Sequence, residues 1–189
     1  MKSIDSKTAA QLLRDGEVLI AALDDMLALI CDARNEEACA ALRKLKNRTA
    51  GKGFSILIDS DARLNKYVTD IPPIAWDIID TADTPLILIL PKGVNLAASA
   101  LADDGTVAVR MTANREEQKL VQTSNSPLAC TALLTAEGIP AARVEDAATE
   151  VLEAVQYVLS LPTAKRTYPP EKIPVIKLGP DGEIEIVRE

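Results

Sequence analysis

The sequence predicts an α/β fold in which helices surround a mixed β-sheet. Short apolar runs typical of strands alternate along the chain with segments whose apolar residues recur at helical spacing. Near the end of the chain, two strand-like segments flank the turn Gly179-Pro180-Asp181-Gly182, which predicts a closing hairpin. The chain has 189 residues, 48% of them hydrophobic, which is enough for a single domain whose core needs neither disulfide nor metal.

The first quarter of the chain predicts two helices separated by two strands. Ser6 can cap a short helix (residues 6–14), which ends before a glycine. Residues 18–23 and 26–31 are continuous apolar runs, as expected of strands buried on both faces or of a buried strand and a turn. From Asn35 onward the apolar residues recur at helical spacing, with acidic residues in the first turn and basic residues near the C-terminal end, which predicts a second helix.

The remaining elements follow from the same patterns. A loop rich in glycine (residues 49–53) leads into a strand at residues 54–58, and a proline in its first turn favours a helix at residues 72–82. A polar, proline-rich connection (residues 162–170) precedes the hairpin. The other predicted helices span residues 61–68, 116–122 and 144–152, and the other predicted strands span residues 85–90, 106–111, 127–134, 155–159, 173–178 and 183–187. Residues 1–189 are thus expected to form one domain that ends in a connection and hairpin at residues 162–189.

Composition excludes several classes of function. The 21 Lys+Arg stand against 28 Asp+Glu, and the resulting net charge of −7 argues against broad binding to a phosphate backbone. Only five aromatic residues are present, which leaves little surface for stacking on bases. The chain contains no histidine, so that Ser/His and Cys/His nucleophiles, HExxH zinc sites and histidine proton shuttles are excluded.

Cysteine usage and hydropathy predict a cytoplasmic protein with no membrane role. Cys31, Cys39 and Cys130 have neither CxxC spacing nor an even count, and we expect them to be reduced and mostly buried. The longest apolar stretches fall far short of the roughly 20 residues that span a bilayer. The first five residues do not resemble the start of a signal peptide.

Basic residues concentrate at the end of the second predicted helix and in the loop after it. Two interpretations stay open, because Lys and Arg favour helix C-termini and often remain solvated, whereas converging cations can bind phosphate or carboxylate. No acidic residue lies between Glu37 and Asp59. The cations concerned are Arg43, Lys44, Lys46, Arg48 and Lys52.

Two further features also have two interpretations each. Arg110 ends a predicted strand and either faces a crevice or forms an ordinary ion pair at the edge of a sheet. Asp24 and Asp25 interrupt an apolar run and could form a metal or base site, but a turn between strands explains them equally well. No GxGxxG or GxxxxGKS motif occurs, so a bound nucleotide would not be held by a Rossmann or P-loop cradle.

Several segments together resemble the YrdC/YciO-like family, the threonylcarbamoyl-adenylate synthases. The resemblance covers nearly the whole chain and implies a twisted mixed sheet with a positively charged concave face. Active members join L-threonine, bicarbonate and ATP for tRNA modification, and the fold is also described as binding double-stranded RNA. The resembling segments are residues 16–20 (GEVLI), 31–38 (CDARNEEA), 46–48 (KNR), Lys52, 85–86 (PL), 104–110 (DGTVAVR) and 127–128 (PL).

The resemblance implies which residues contact a ligand. Lys46, Arg48, Lys52, Arg110 and Thr131 are expected to bind an anion, a nucleotide or RNA around one concave site. ATP is the cofactor that the resemblance implies, and tRNA or double-stranded RNA is the implied partner. It assigns no catalytic residue and no metal site to this chain.

The chain also departs from the family pattern in its substrate motifs. Where the family has PTDTxxG, a degenerate loop contains Leu23, Asp24, Asp25 and Leu27. Where the family has TSAN, residues 131–134 read Thr-Ala-Leu-Leu, and residues 172–178 lack the serine of the family. A polar group of a ligand that is buried without a hydrogen-bonding partner costs about 1–3 kcal/mol.

These departures lead to three interpretations. The first is a YrdC/YciO-like domain with impaired catalysis that still binds a nucleotide or double-stranded RNA. The second is an active threonylcarbamoyl-AMP synthase whose substrate contacts come from other residues. The third is a non-catalytic interaction protein that binds a partner in the crevice where the family binds its substrates, which is lined here by apolar residues.

Overall fold

The computed structural model describes residues 1–23, 26–46, 51–161 and 173–188, and it confirms the α/β class. Ten of the strands in this part of the chain form one mixed sheet, and two short ones form a separate ribbon. The strands are β1 (Lys2–Ile4), β2 (Leu19–Ala22), β3 (Leu27–Asp32), β4 (Ser55–Ile58), β5 (Val68–Thr69), β6 (Ile87–Leu90), β7 (Lys92–Gly93), β8 (Val107–Met111), β9 (Leu128–Ala132), β10 (Tyr157–Ser160), β11 (Val175–Leu178) and β12 (Ile184–Arg188).

The helices largely match the sequence predictions. Asp5, Asn35 and Asn114 cap three of them with side-chain oxygens that accept backbone N–H groups. Asn125 ends one helix in the left-handed conformation. The helices are α1 (Ser6–Arg14), α2 (Glu36–Leu45), α3 (Asp61–Tyr67), α4 (Ile74–Thr81), α5 (Arg115–Ser124) and α6 (Thr149–Ala154), with short 3-10 turns at Ala98–Ala100 and Val144–Asp146.

The large sheet combines parallel and antiparallel neighbours in the order β1-β10-β2-β3-β9-β4-β8-β6-β11-β12. Strand β9 lies between β3 and β4 and is antiparallel to both, whereas β4 and β8 are parallel. The closing hairpin β11–β12 forms as predicted and joins the sheet through β6.

Helices cover both faces of the sheet and create two apolar cores. We call one side the α2 face, where α2, α3, α4 and α6 pack on strand residues such as Ile56 and Val109. We call the other side the α5 face, where α1 and α5 pack on residues such as Leu57 and Leu128. Because successive side chains of a strand point to opposite faces, the register assigns each strand residue to one of these sides.

Two local predictions need correction. The helix predicted at residues 144–152 is a 3-10 turn followed by α6, because the Asp146 carboxylate accepts from the Arg143 backbone N–H and the backbone is extended at Ala147. The strands β1, β5 and β7 were not predicted, since segments of two or three residues with a single neighbouring strand carry no periodic signal. The predicted loop residues 49–50 and the connection at residues 162–170 lie outside the described residues.

Candidate functional site

The motif CDARNEEA builds the junction between β3 and α2. Asp32 ends β3 and accepts two hydrogen bonds from the Arg34 guanidinium, at 3.2 and 3.0 Å, and one from the Arg34 backbone N–H at 2.8 Å. Burial raises the pKa of Asp32, but the hydrogen bonds from Arg34 and from the Ser126 side chain together outweigh it, and the pKa lies below its ordinary value. The motif that carries the family resemblance therefore holds a strand–helix junction.

The same junction is tied to the 3-10 turn at Ala98–Ala100. Glu36, in the first turn of α2, accepts hydrogen bonds from the Ser99 hydroxyl and from the Ser99 backbone N–H. The hydroxyl bond is the main reason that the pKa of Glu36 is lowered. These contacts fix the start of α2, and the basic end of the helix lies near the end of β9, where Lys46 bonds to Ala132.

Arg43 has a structural role in the fold. Its guanidinium donates to the carbonyl oxygens of Ser99 and Leu101, both at 2.7 Å, and lies 5.6 Å from the centroid of the Phe54 ring. Gly53 packs against the same segment, because a Cβ at this position would lie 2.7 Å from the backbone nitrogen of Ala102, the residue after Leu101. The glycine before β4 is therefore required by a close backbone approach.

Lys46 lines a groove on the α2 face. Its ammonium donates to the carbonyl oxygen of Ala132 at 2.8 Å, at the end of β9. The groove, of about 940 Å³, lies between α2, α6 and the turn after β9. Lys44, Glu17 and Glu150 also line the groove, so its wall carries both positive and negative side chains.

Arg110 lies on the α5 face and forms a buried ion pair. Its guanidinium donates to the Glu117 carboxylate at 2.8 Å, and the side chains are only 6% and 1% exposed. Register places Arg110 beside Leu57, which is beside Leu128, and both of these belong to the core under α5. Both interpretations of Arg110 apply, because the residue forms an ion pair, buried and not at an exposed edge, and also lines a cavity.

A second cavity, of about 370 Å³, opens at the carboxyl end of β8. Apolar side chains from β6 and β8, among them Leu88 and Val109, form much of its wall. Arg110, Glu117 and Asn114 line it from the strand end and the start of α5. Asp59 lines it as well and is held by Arg63 at 2.5 Å.

The predicted cations do not all meet around one crevice. Lys46 lines the groove on the α2 face, whereas Arg110 projects from the α5 face of β8 and lines the other cavity. The two cations thus line different cavities, because strand alternation sends Arg110 to the side opposite α2. Their sharing of one anion-binding site stays a prediction. Lys52 is exposed just before β4. Arg48 lies outside the described residues.

Several residues at the departures from the family pattern are core residues, whereas Ala132, Leu134 and residues 174–177 are partly exposed. Leu23 is fully buried in the core of the α5 face, and Leu27 is buried in the core of the α2 face. Thr131 is buried opposite Leu29 in the pairing of β3 with β9, and Leu133 is fully buried. Asp24 and Asp25 lie outside the described residues, so the metal or base site and the turn considered for them both stay predictions.

Sequence reasoning did not single out Glu117. A signal existed, because Glu117, Leu120, Val121 and Ser124 are spaced as one helical stripe and all are buried. An acid in such a stripe requires a buried cationic partner.

The described residues also bear on metal binding and membrane insertion. Among these residues, no group of three or more potential His, Cys, Asp or Glu ligands is arranged to hold a metal ion. No helix among them has the length and apolar character to cross a bilayer.

Comparison with known proteins decides the family. The family model Sua5_yciO_yrdC, described as "Telomere recombination", matches residues 11–189. The chain belongs to the Sua5/YciO/YrdC family. This confirms the resemblance that the sequence motifs carry.

Individual relatives and solved structures agree with the family assignment. A threonylcarbamoyl-AMP synthase of Pseudoalteromonas translucida is 26% identical over 164 residues, which cover 85% of this chain and 88% of the relative. E. coli YciO superposes with a TM-score of 0.79 at 20% identity, covering 99% of this chain and 93% of that chain. Sua5 of P. abyssi complexed with L-threonine gives a TM-score of 0.72 at 21% identity, over 94% of this chain and 54% of that chain. At these identities the solved structures show a common fold.

Proposed function

We propose that this chain is a Sua5/YciO/YrdC domain in which threonylcarbamoyl-AMP formation is impaired and in which binding of a nucleotide or RNA is retained. The relationship to enzymes named threonylcarbamoyl-AMP synthase supplies the reaction class. The main observation in support of impaired synthesis is the buried ion pair of Arg110 and Glu117.

Electrostatics explains why this pair disfavours synthesis. L-threonine, bicarbonate and ATP are all anions or carry a carboxylate, and each needs cationic or hydrogen-bonding partners in a closed site. The family motif places Arg110 among those partners, but here its charge is already compensated by the Glu117 carboxylate inside the protein. An incoming carboxylate would have to displace Glu117 and leave that acid buried without its cation, which is strongly unfavourable.

The aliphatic replacements act in the same direction. Leu27 and Leu133 are packed in the core, so they offer no polar atom to a ligand. If two or three polar groups of the ligand stay unpaired, at about 1–3 kcal/mol each, binding weakens by orders of magnitude.

Retained anion binding is supported by the stretch without acids between Glu37 and Asp59. Lys44 and Lys52 are exposed, and Lys46 is partly exposed at the rim of the groove. Exposed ammonium groups near a helix end attract phosphate without reading sequence. The ligand class is therefore a nucleotide or an RNA backbone, bound weakly and with salt dependence.

The test of impaired synthesis is threonine-dependent release of pyrophosphate from ATP in the presence of bicarbonate. The synthase of Pseudoalteromonas translucida serves as the positive control at equal protein concentration. We expect release no faster than in a reaction without threonine. Turnover comparable to the control would overturn the impairment and establish the chain as an active synthase.

A second assay separates ligand binding from the interaction-protein alternative. The purified chain is titrated with ATP and with a short RNA duplex at low salt, and binding is followed by calorimetry. Measurable binding of either supports the retained anion site. Absence of binding to both at millimolar ATP and micromolar RNA would favour a protein that contacts another protein.

A further inference from the structure

We infer that Cys31 and Cys39 form a preorganised dithiol site that a small peroxide converts into a disulfide between β3 and α2. This inference is independent of the proposed function, because neither cysteine lines the groove or the cavity at Arg110. It rests on the geometry of the two thiols and on the elements that hold them.

The two thiols already touch inside the protein. Their Sγ atoms lie 3.8 Å apart, and both residues are fully buried in the core of the α2 face. Cys31 belongs to β3 and Cys39 to the first turns of α2, eight residues later. A disulfide needs sulfurs about 2.05 Å apart, so closure requires an approach of less than about 2 Å.

The surrounding contacts hold the pair in place. Asn35 caps α2 by accepting from the backbone N–H of Ala38, next to Cys39. The Sγ of Cys39 donates to the carbonyl oxygen of Asp32, the residue that follows Cys31. The strand and the helix thus keep both sulfurs at one position, and little conformational entropy is lost when the bond forms.

The chemistry balances with hydrogen peroxide as the oxidant. One cysteine, as the thiolate, attacks a peroxide oxygen, the O–O bond breaks, and a sulfenic acid and water result once the released proton is counted. The second thiol then attacks the sulfenic sulfur and expels water, so that the S–S bond forms. In sum, two thiols and one hydrogen peroxide give one disulfide and two waters, and the two sulfurs are oxidised as the peroxide is reduced.

Burial determines which oxidants work and how fast. The hydrogen bond with Cys39, followed by burial, raises the pKa of the Cys31 thiol, so Cys31 is seldom a thiolate in the closed state. A small neutral peroxide fits such a site better than a bulky disulfide reagent. We therefore expect slow oxidation that accelerates when local opening of α2 is promoted.

Cys130 provides the matched control within the chain. It is buried as well, but it lies on the α5 face, where its Sγ donates to the carbonyl oxygen of Leu128. The sheet separates it from the Cys31 and Cys39 pair. Oxidation should therefore spare Cys130 while it consumes the other two thiols.

The experiment treats the native chain with hydrogen peroxide, alkylates the remaining thiols in urea and maps tryptic peptides. Cleavage after Arg14, Arg34 and Arg43 separates Cys31 (residues 15–34) from Cys39 (residues 35–43), and Cys130 falls in residues 120–143. We expect peptides 15–34 and 35–43 to be joined with loss of two hydrogens, reversibly by dithiothreitol. Peptide 120–143 should stay alkylated, and the thiol count should fall from three to one.

Variants decide between this pair and other reactions. Cys130→Ala should form the same cross-link at an unchanged rate, whereas Cys31→Ala and Cys39→Ala, each checked for folding by circular dichroism, should form none. Three thiols that remain alkylatable in the wild type, a cross-link to peptide 120–143, or sulfinic acid at Cys31 without a cross-link would each overturn the inference.

Discussion

The Arg110 guanidinium on β8 and the Glu117 carboxylate on α5 meet at 2.8 Å with almost no solvent exposure of either side chain. A buried charge that loses its partner cannot be compensated by water. The change Glu117→Gln should therefore lower the free energy of unfolding by about 3 kcal/mol or more. Urea denaturation followed by circular dichroism measures this loss.

A double variant distinguishes the loss of charge balance from the loss of packing. Arg110→Met combined with Glu117→Leu removes both charges and keeps similar volumes, and we expect it to be more stable than either single variant. A Glu117→Gln protein that unfolds within about 0.5 kcal/mol of the wild type, the range of neutral surface changes, would refute the interpretation of a buried ion pair.

Arg43 and its neighbour Lys44 allow a cation that stabilises the fold to be compared with a solvated one. Arg43 donates to two backbone carbonyls at 2.7 Å, whereas Lys44 is exposed on the same turn of α2. Arg43→Met should lower the free energy of unfolding by about 2–3 kcal/mol, because it removes two hydrogen bonds from a charged donor. Lys44→Met should change it by less than about 0.5 kcal/mol in the same urea experiment. Equal effects of the two changes would contradict the role assigned to Arg43.

Asp32 should give the protein part of its acid sensitivity. Because its pKa is lower in the folded chain than in the unfolded chain, its stabilising contribution is complete above the ordinary value of about 4 and is lost as the pH falls through the folded pKa. Asp32→Asn should therefore lower stability near neutral pH and reduce the decline toward pH 3. Urea midpoints measured from pH 7 to pH 3 test this. A variant whose midpoint falls as steeply as that of the wild type would show that Asp32 does not titrate in this way.

Much of the fold could be predicted because hydrophobic periodicity and caps determine local structure. The apolar run that became β3 and the cap at Asn35 each contain enough local information to define an element. The break before α6 was not predictable in this way. It depends on the turn that Arg143 and Asp146 close, which competes with a helical pattern of similar strength.

The candidate site was harder to predict than the fold because it depends on faces and partners. Strand alternation places the Arg110 side chain on the α5 face of the sheet. The sequence contains no signal that tells which residues of β8 face the side covered by α2 and which face the side covered by α5. Lys46 and Arg43 look equally solvated in sequence, yet each donates to a backbone carbonyl of a distant segment. Glu117 was detectable as an acid within an apolar stripe, but its partner could be identified only from the folded chain.

Salt dependence tests whether the basic segment at the end of α2 and after it (Lys44, Lys46, Arg48 and Lys52) binds phosphate. If about three phosphate contacts form, the logarithm of the affinity for ATP or a short RNA duplex should fall with the logarithm of salt at a slope of roughly −2 to −3. Changing Lys46 and Arg48 together to Ala should weaken binding of both ligands and flatten the slope toward about −1, since each charge contributes independently of sequence.

A second double variant that loses the same charge elsewhere shows whether binding depends on the position of the cations or on the net charge. Neither Lys7 on α1 nor Lys177 on β11 lines the groove that Lys44 and Lys46 line, and the Lys177 ammonium lies 3.7 Å from the Asp104 carboxylate. Changing Lys7 and Lys177 together to Ala removes the same total charge and should leave the slope within about 0.5 of the wild-type value, because neither charge lines the groove at the end of α2. If both double variants lose affinity equally, binding reflects the overall charge and not a site after α2. If neither loses affinity, the basic segment is a solvated helix end, and the interaction-protein alternative becomes the better account.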